Sequence, residues 1–333
     1  MKPQISASTR TLILALLAGL AAILEGGPAW AADSGSSWGA NFFPNVELID
    51  QDGRKLRFYD DLLKGKVFAL NFIFTRCKDS CPAETAALRK VQKALGDRVG
   101  REVFFYTISI DGERDKPEEL KAYADKFHVG PGWLFLSGGK ADVDLIRKKL
   151  GMYRNDGKQE TALNQHSINI LLGNEAASQW IKRSPFEDTA ALVRVIGQRL
   201  GSPGSASGIA NAHINAPILD PTKELPGEKL FYPRCSNCHS VSTAEADDIG
   251  PGLAGITKKR DRNWLKRWLK EPDKLIAKKD KTALAIYKAY KQIPMPNFRL
   301  TDQQAEDLVQ YLEANDRQTK PLAANDAKAL SMQ

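Results

Sequence analysis

The stretch "NFIFTRCKDSCPAET", Asn71 to Thr85, joins an apolar run to a proline-led amphipathic run and places Cys77 and Cys81 between them. The run "KVFALNFIF" is typical of a buried strand. The run "PAETAALRKVQKAL" has helical periodicity, with Pro82 suited to the first turn. The two cysteines are therefore expected in the loop between a strand and a helix, at the carboxyl edge of a sheet, where open α/β folds place their sites.

Strand and helix signals alternate from residue 40 to 200, which predicts an α/β layer with a largely parallel sheet. The strand runs "EVFFYTISI" and "GWLFL" alternate with the helical runs "KPEELKAYADKF" and "ADVDLIRKKL". A hairpin turning at Asp52-Gly53 precedes them. A second hairpin, "HSINILL" with "SQWI", precedes the closing helix "FEDTAALVRVIGQRL". This order predicts a thioredoxin-like domain.

Two neighbouring thiolates can close a disulfide, attack another disulfide or hold a soft metal. The amides at the helix start, together with Arg76 and Lys78, favour the thiolate form. A purely structural disulfide is disfavoured because so tight a loop closes little chain entropy.

A metal at this pair needs a third ligand, and the first domain holds two histidines. His128 ends a helical run and is expected at the surface. His166 opens the strand "HSINILL" and is the candidate ligand, with a simple loop histidine as the alternative. Two thiolates and one imidazole suit copper, whereas zinc would normally recruit a fourth ligand.

The segments "FTRCKDSCP", "TISIDGERDKPEELKAYADKF" and "NQHSINILL" resemble the Sco/SenC family over roughly residues 40–200. The resemblance implies a thioredoxin fold and copper bound by Cys77, Cys81 and His166. It also implies a role in building the dinuclear copper site of cytochrome c oxidase, while some members are thought to act as thiol-disulfide reductases. Gln165 stands where the family usually has aspartate, so a carboxylate that could accept a hydrogen bond and carry a negative charge beside the imidazole is replaced by a neutral amide.

The segment "GEKLFYPRCSNCHS" has the Cys-x-x-Cys-His spacing of c-type haem attachment. Cys235 and Cys238 would add to the two vinyl groups of one porphyrin, and His239 would bind the iron. Zinc is disfavoured because no further cysteine or histidine follows in the sequence. Met295, between two prolines, is the predicted second axial ligand, and His213 is its rival.

Residues 226–316 resemble a class I cytochrome c, including the segment "IGPGLAGI". The resemblance implies that the carbonyl of Pro251 accepts the imidazole hydrogen of His239. The sequence thus predicts an all-α cytochrome c domain over residues 226–320. Helical spacing predicts two helices whose apolar faces belong to the core of this domain. One face is formed by Trp264, Leu265, Trp268 and Leu269, and the other by Ala305, Leu308, Val309 and Leu312.

The first 31 residues have the pattern of an export signal. Lys2 and Arg10 precede an apolar run from Thr11 to Leu24, followed by Ala29-Trp30-Ala31. The run is short for a bilayer span of about twenty residues, and an uncleaved anchor is the alternative. We expect a periplasmic protein. Residues 201–225, rich in Gly, Ser, Ala and Pro, are predicted to be a flexible linker.

The net charge of +8 is uneven, since Lys258 to Lys291 holds thirteen Lys and Arg against four Asp and Glu. In an exported haem domain this pattern favours a solvated helix face or a redox partner with an acidic docking face, and no nucleic acid is expected. The expected metal partner is the copper subunit of cytochrome c oxidase or another periplasmic copper or thiol protein. Contact with a membrane is expected only through that partner or an uncleaved signal.

His/Met ligation raises a haem's potential, whereas dithiol couples lie near about −0.1 to −0.3 V. The haem is therefore expected to accept electrons from the thiols or to exchange them with copper. Three hypotheses follow: a copper chaperone with a fused haem, a thiol-disulfide oxidoreductase coupled to a cytochrome, and a chain that is mainly an electron carrier.

Overall fold

The computed structural model describes residues 42–153, 168–200, 225–242 and 249–318. Four sequence predictions lie outside these residues: the export signal, the linker, His166 with Gln165, and His213. Within the described ranges, none of the helices combines the length and hydropathy needed to cross a bilayer.

The first domain is built on a seven-stranded sheet with the order β2-β1-β5-β4-β3-β6-β7. Its strands are β1 Glu47–Asp50, β2 Lys55–Arg57, β3 Val67–Ile73, β4 Val103–Ser109, β5 Trp133–Ser137, β6 Ile170–Asn174 and β7 Gln179–Arg183. Its helices are α1 Cys81–Leu95, α2 Pro117–Lys126, α3 Lys140–Lys149 and α4 Thr189–Arg194. The predicted α/β thioredoxin-like class is confirmed.

The expectation of a largely parallel sheet is wrong, because only the β3–β4 and β4–β5 pairings are parallel and the other four pairings are antiparallel. The strands of a hairpin are antiparallel, so one strand of each flanking hairpin must run against the centre. β1 accordingly opposes β5, and β6 opposes β3.

Helices cover both faces of this sheet. Six of the seven residues of β3 are buried, which explains its continuous apolar sequence. On one face α1, α2 and α4 pack into a core that contains Leu88, Leu120 and Leu192. On the other face α3 packs with a π-helical turn, Phe58–Leu63, that the sequence pattern did not predict.

The described part of the second domain is helical, as predicted for a cytochrome c. Its helices are α5 Pro226–Arg234, α6 Ile256–Lys259, α7 Arg262–Lys270, α8 Pro272–Ala277, α9 Lys281–Ala289 and α10 Asp302–Gln318. α5 and α7 pack on α10. The predicted apolar face of α10 is buried, with Ala305, Leu308, Val309 and Leu312 all under one tenth exposed. Gly227 permits the close approach of α5, because a Cβ there would lie 2.0 Å from the Asp307 carbonyl oxygen.

Candidate metal centre and haem site

Cys77 lies where the sequence predicted, in the loop between β3 and α1, whereas Cys81 lies one residue past this loop because α1 begins before Pro82. Both are buried, with 4% and 0% of their surface exposed. All four cysteines of the chain lie in the described residues, and all four are thiols rather than disulfides. Cys81 is the first residue of α1, so its sulfur lies at a helix N-terminus, where the backbone amides favour negative charge.

The two thiols differ in acidity. A hydrogen bond from the Cys81 thiol is the largest influence on Cys77 and lowers its pKa, against the opposing effect of burial. Burial is the main cause that raises the pKa of Cys81 well above its ordinary value. Cys77 is therefore the sulfur that ionises first, with Cys81 as its hydrogen-bond donor.

A buried aspartate anchors the loop that carries Cys77. Asp115 is fully buried and accepts hydrogen bonds from the Thr75 backbone amide at 2.9 Å and from the Thr75 hydroxyl at 2.6 Å. The Ser109 hydroxyl donates to the same carboxylate at 2.6 Å. Arg76, next in the loop, forms a 3.3 Å ion pair with Asp111. The end of β4 and the start of α2 thus fix the position of the cysteine loop.

Glu84 lies beside the thiol pair in the first turn of α1. Its side chain is fully buried, and neither carboxyl oxygen has a hydrogen-bond partner at normal geometry among the described residues. Burial raises the pKa of Glu84 to about 8, and the neighbouring Ser80 and Asn71 side chains offset this only in part. Glu84 is therefore predominantly protonated at neutral pH.

The position of the predicted third ligand, His166, lies outside the described residues. β6 begins at Ile170, later than the predicted strand start. Its antiparallel register with β3, in which Leu70 faces Leu171, brings the entry to β6 to the edge where β3 ends. Among the described residues, no group of three His, Cys, Asp or Glu side chains could hold a metal ion.

The predicted haem residues of the second domain line one cavity of about 400 Å³. Cys235, Cys238 and His239 approach it from the end of α5, and Met295 approaches from the loop before α10. The rest of the lining is mainly apolar and includes Trp264 and Trp268 of α7, whose rings stack at 5.5 Å between centroids. The sequence predicted this helix face as core, and it forms a wall of the cavity as well.

The orientation of His239 suits an axial ligand. Its Nδ1 lies 2.8 Å from the carbonyl oxygen of Pro251, so the ring has Nε2 for an iron. Gly250 leaves room for the ring, because a Cβ there would lie 2.8 Å from Cε1 of His239 and 2.7 Å from the carbonyl oxygen of Cys238. The donor set, the apolar lining and this cradle fit a c-type haem.

Two family models match the chain: SCO1/SenC over residues 35–200 and cytochrome c over residues 225–316. The SCO1 protein homolog of Bacillus subtilis is 37% identical over 153 residues, which cover 44% of this chain and 77% of the homolog. The chain belongs to the SCO1/SenC family. In this chain the Sco domain is followed by a cytochrome c domain.

Solved Sco structures cover the same half of the chain. A SCO1/SenC family lipoprotein from Bacillus anthracis is 28% identical, with a TM-score of 0.41, and the match covers 47% of this chain and 94% of that one. Arabidopsis thaliana ScoI, solved with copper bound, is 26% identical, with a TM-score of 0.38, over 46% and 93% of the two chains. Because both TM-scores are below 0.5, family membership rests on the sequence matches.

Sequence reasoning did not assign a role to Asp115 or Glu84 in the Sco domain. Asp115 belongs to the quoted run "TISIDGERDKPEEL", but its bond to Thr75 joins residues forty apart. Glu84 is three residues after Cys81, so both lie on one face of α1. This spacing is the signal in the sequence that could have placed Glu84 beside the thiol pair.

Proposed function

We propose that this chain is an exported copper chaperone that serves the assembly of the dinuclear copper site of cytochrome c oxidase. Its haem would exchange electrons with the Cys77–Cys81 pair or with the copper that the pair holds. The observation that carries the proposal is the pair of buried thiols of unequal acidity at a sheet edge, in a chain that also forms a haem pocket. Support comes from the Sco relatives: the Arabidopsis thaliana ScoI structure has copper bound, and another solved relative, BsSco, is a member of the Sco family of cytochrome c oxidase assembly proteins.

Copper would be held as cargo by the two sulfurs, with His166 as the third ligand. Soft sulfur ligands select Cu(I). Cys77 offers the thiolate, and Cys81 gives up its proton on binding, so that loading releases protons. Asp115 keeps the loop in position while copper enters and leaves.

When bound through His239 and Met295, the haem supplies a one-electron acceptor of raised potential. Oxidation of Cu(I) to Cu(II) releases one electron and matches this capacity. Closure of a Cys77–Cys81 disulfide releases two electrons and two protons and therefore requires two such transfers.

The location and docking partners belong to the same proposal. Export to the periplasm would put the thiols and the covalent haem in an oxidising compartment. The basic segment from Lys258 to Lys291 would steer the cytochrome c domain to a redox partner with an acidic face. The recipient would be the oxidase copper subunit or another periplasmic copper or thiol protein, with membrane contact only through it or an uncleaved signal.

A thiol-disulfide oxidoreductase coupled to the cytochrome is the second candidate. The observation that favours it is the combination of a more acidic thiol, a less acidic neighbour and a buried protonated carboxyl. Cys77 would attack a substrate disulfide, and Cys81 would resolve the mixed disulfide.

Anaerobic copper titration of the haem-loaded full chain separates the two candidates. The chaperone binds one copper per chain, and sulfur-to-copper charge-transfer absorption is lost in Cys77→Ser, Cys81→Ser and His166→Ala. His128→Ala, the exposed histidine of the same domain, is the matched control. Unchanged copper affinity in all three variants would refute the chaperone. Disulfide reduction that survives His166→Ala but not Cys77→Ser would establish the oxidoreductase.

A further inference from the structure

Helix α1 of the Sco domain is buried around its whole circumference at its N-terminal end. The nine residues from Cys81 to Arg89 are all buried, which is about two and a half turns. A helix that packs on a sheet with one face alone would leave the opposite face in solvent. The side of α1 that points away from the sheet is therefore covered too.

Three sides of α1 face its own domain. Leu88 and Val91 lie in the core cluster with residues of the sheet. The Thr85 hydroxyl lies 3.0 Å from the hydroxyl of Tyr123 on α2. α4 packs along another side.

The remaining side carries Ala86 and Lys90. Each is two residues from Leu88, so each points about 160° away from it. Ala86 is nevertheless 0% exposed, and Lys90 is half-buried.

Residues of the cytochrome c domain lie against this side. Ile249 and Ile293 belong to the same buried cluster as Ala86, and Cys238 packs against that cluster. The Lys90 ammonium donates a hydrogen bond to the carbonyl oxygen of Ser236, inside the Cys-x-x-Cys-His loop.

The same cytochrome residues mark one edge of the haem cavity. Cys238, Ile249 and Ile293 all line it. Since the Cys238 sulfur would carry a vinyl carbon of the porphyrin, a surface that packs on Cys238 lies beside the porphyrin edge.

We propose that the outward side of α1, Ala86 and Lys90, is the docking surface for the haem edge of the chain's own cytochrome c domain. The small side chain of Ala86 permits close approach, and Lys90 supplies a cation to a backbone carbonyl. Tethering gives effective concentrations near millimolar, so a small contact is sufficient. The docked haem edge therefore lies on the helix that begins at Cys81. This holds whether copper or the thiol pair is the electron donor.

Amide chemical shifts of the haem-loaded full chain in the ferric and ferrous states test this contact. The unpaired electron of ferric iron shifts nearby nuclei with a steep dependence on distance. We expect the change in amide chemical shift between the ferric and ferrous states to be several-fold larger at Ala86 and Lys90 than at Ala141. Ala141 lies in the first turn of α3, on the other face of the sheet.

Substitutions on the docking surface should remove these shifts. Ala86→Glu inserts a bulky charge, and Lys90→Glu places a carboxylate against the Ser236 carbonyl. The matched controls are Ala141→Glu and Lys93→Glu, which change exposed residues in the same ways and should leave the shifts unchanged.

Equal shifts at Ala86 and Ala141 in the unsubstituted protein would overturn the proposal. Full-sized shifts in a folded Lys90→Glu protein would also overturn it, and this variant decides the matter if Ala86→Glu fails to fold. Shifts that disappear on dilution would assign the contact to a second copy of the chain and refute docking within one chain.

Discussion

The Asp115 carboxylate accepts hydrogen bonds from both the backbone amide and the hydroxyl of Thr75, at 2.9 and 2.6 Å. The contact ties the start of α2 to the loop that follows β3. Because Thr75 is two residues before Cys77, this carboxylate fixes the backbone from which the more acidic thiol projects.

Asp115→Asn should loosen the cysteine loop. An amide offers one acceptor oxygen where the carboxylate offers two, so a buried donor loses its partner. Such a loss costs about 1–3 kcal/mol of unfolding free energy. We expect lower stability in chemical denaturation together with weaker copper binding. Asp97→Asn, at an exposed aspartate, is the control, and equal behaviour of the two variants would contradict the anchoring role.

The two thiols should react at different pH values. With Cys77→Ser and Cys81→Ser variants of the haem-loaded chain, the alkylation rate of the remaining thiol is measured against pH. The Cys77 thiol should begin to react at lower pH than the Cys81 thiol, because its pKa is lowered while burial raises that of Cys81. The reverse order would show that the Cys81 sulfur is the nucleophile.

Glu84 should make the stability of the Sco domain depend on pH. Its pKa is about 8 in the folded protein against an ordinary value of 4.5, so the folded carboxyl keeps a proton that the unfolded chain releases. The unfolding free energy therefore falls as pH rises from about 4.5 to about 8 and levels off above that range. We expect Glu84→Gln to flatten this fall.

Denaturant unfolding at several pH values measures the effect of Glu84→Gln. Glu118→Gln, at an exposed glutamate of α2, is the matched control and should keep the original slope. If Glu84→Gln also keeps it, the carboxyl is ionised in the folded protein.

Local signals in the sequence were sufficient to predict much of this fold. The Asp52-Gly53 turn, the strand before Cys77 and the helix after it each follow from periodicity and turn residues within one short segment. The Cys-x-x-Cys-His motif is equally local, because its five residues bind one porphyrin and the porphyrin sets their spacing.

Contacts between distant segments could not be predicted in this way. The direction of the outer strands, the π-helical turn Phe58–Leu63 and the Thr75–Asp115 contact all depend on tertiary packing. Glu84 has the polarity of a surface residue but is fully buried in the first turn of α1, and only the packed structure shows this. The role of His166 as the third copper ligand stays a prediction.

Met295 should set the potential of the haem. In Met295→Ala, Cys235 and Cys238 retain the covalent haem, so the haem content is the internal control. Loss of the thioether should lower the midpoint potential and convert six-coordinate iron to a form with an open position. Redox titration and visible spectra measure both changes. Unchanged spectra in Met295→Ala and altered spectra in His213→Ala would assign the axial position to His213.

Both outer strands of the seven-stranded sheet are short and cationic. β2 carries Lys55 and Arg57, and β7 carries Lys182 and Arg183. Charged residues on edge strands oppose pairing with a strand from another molecule. The sheet is therefore protected at both edges against the addition of a strand from another molecule and against growth into aggregates.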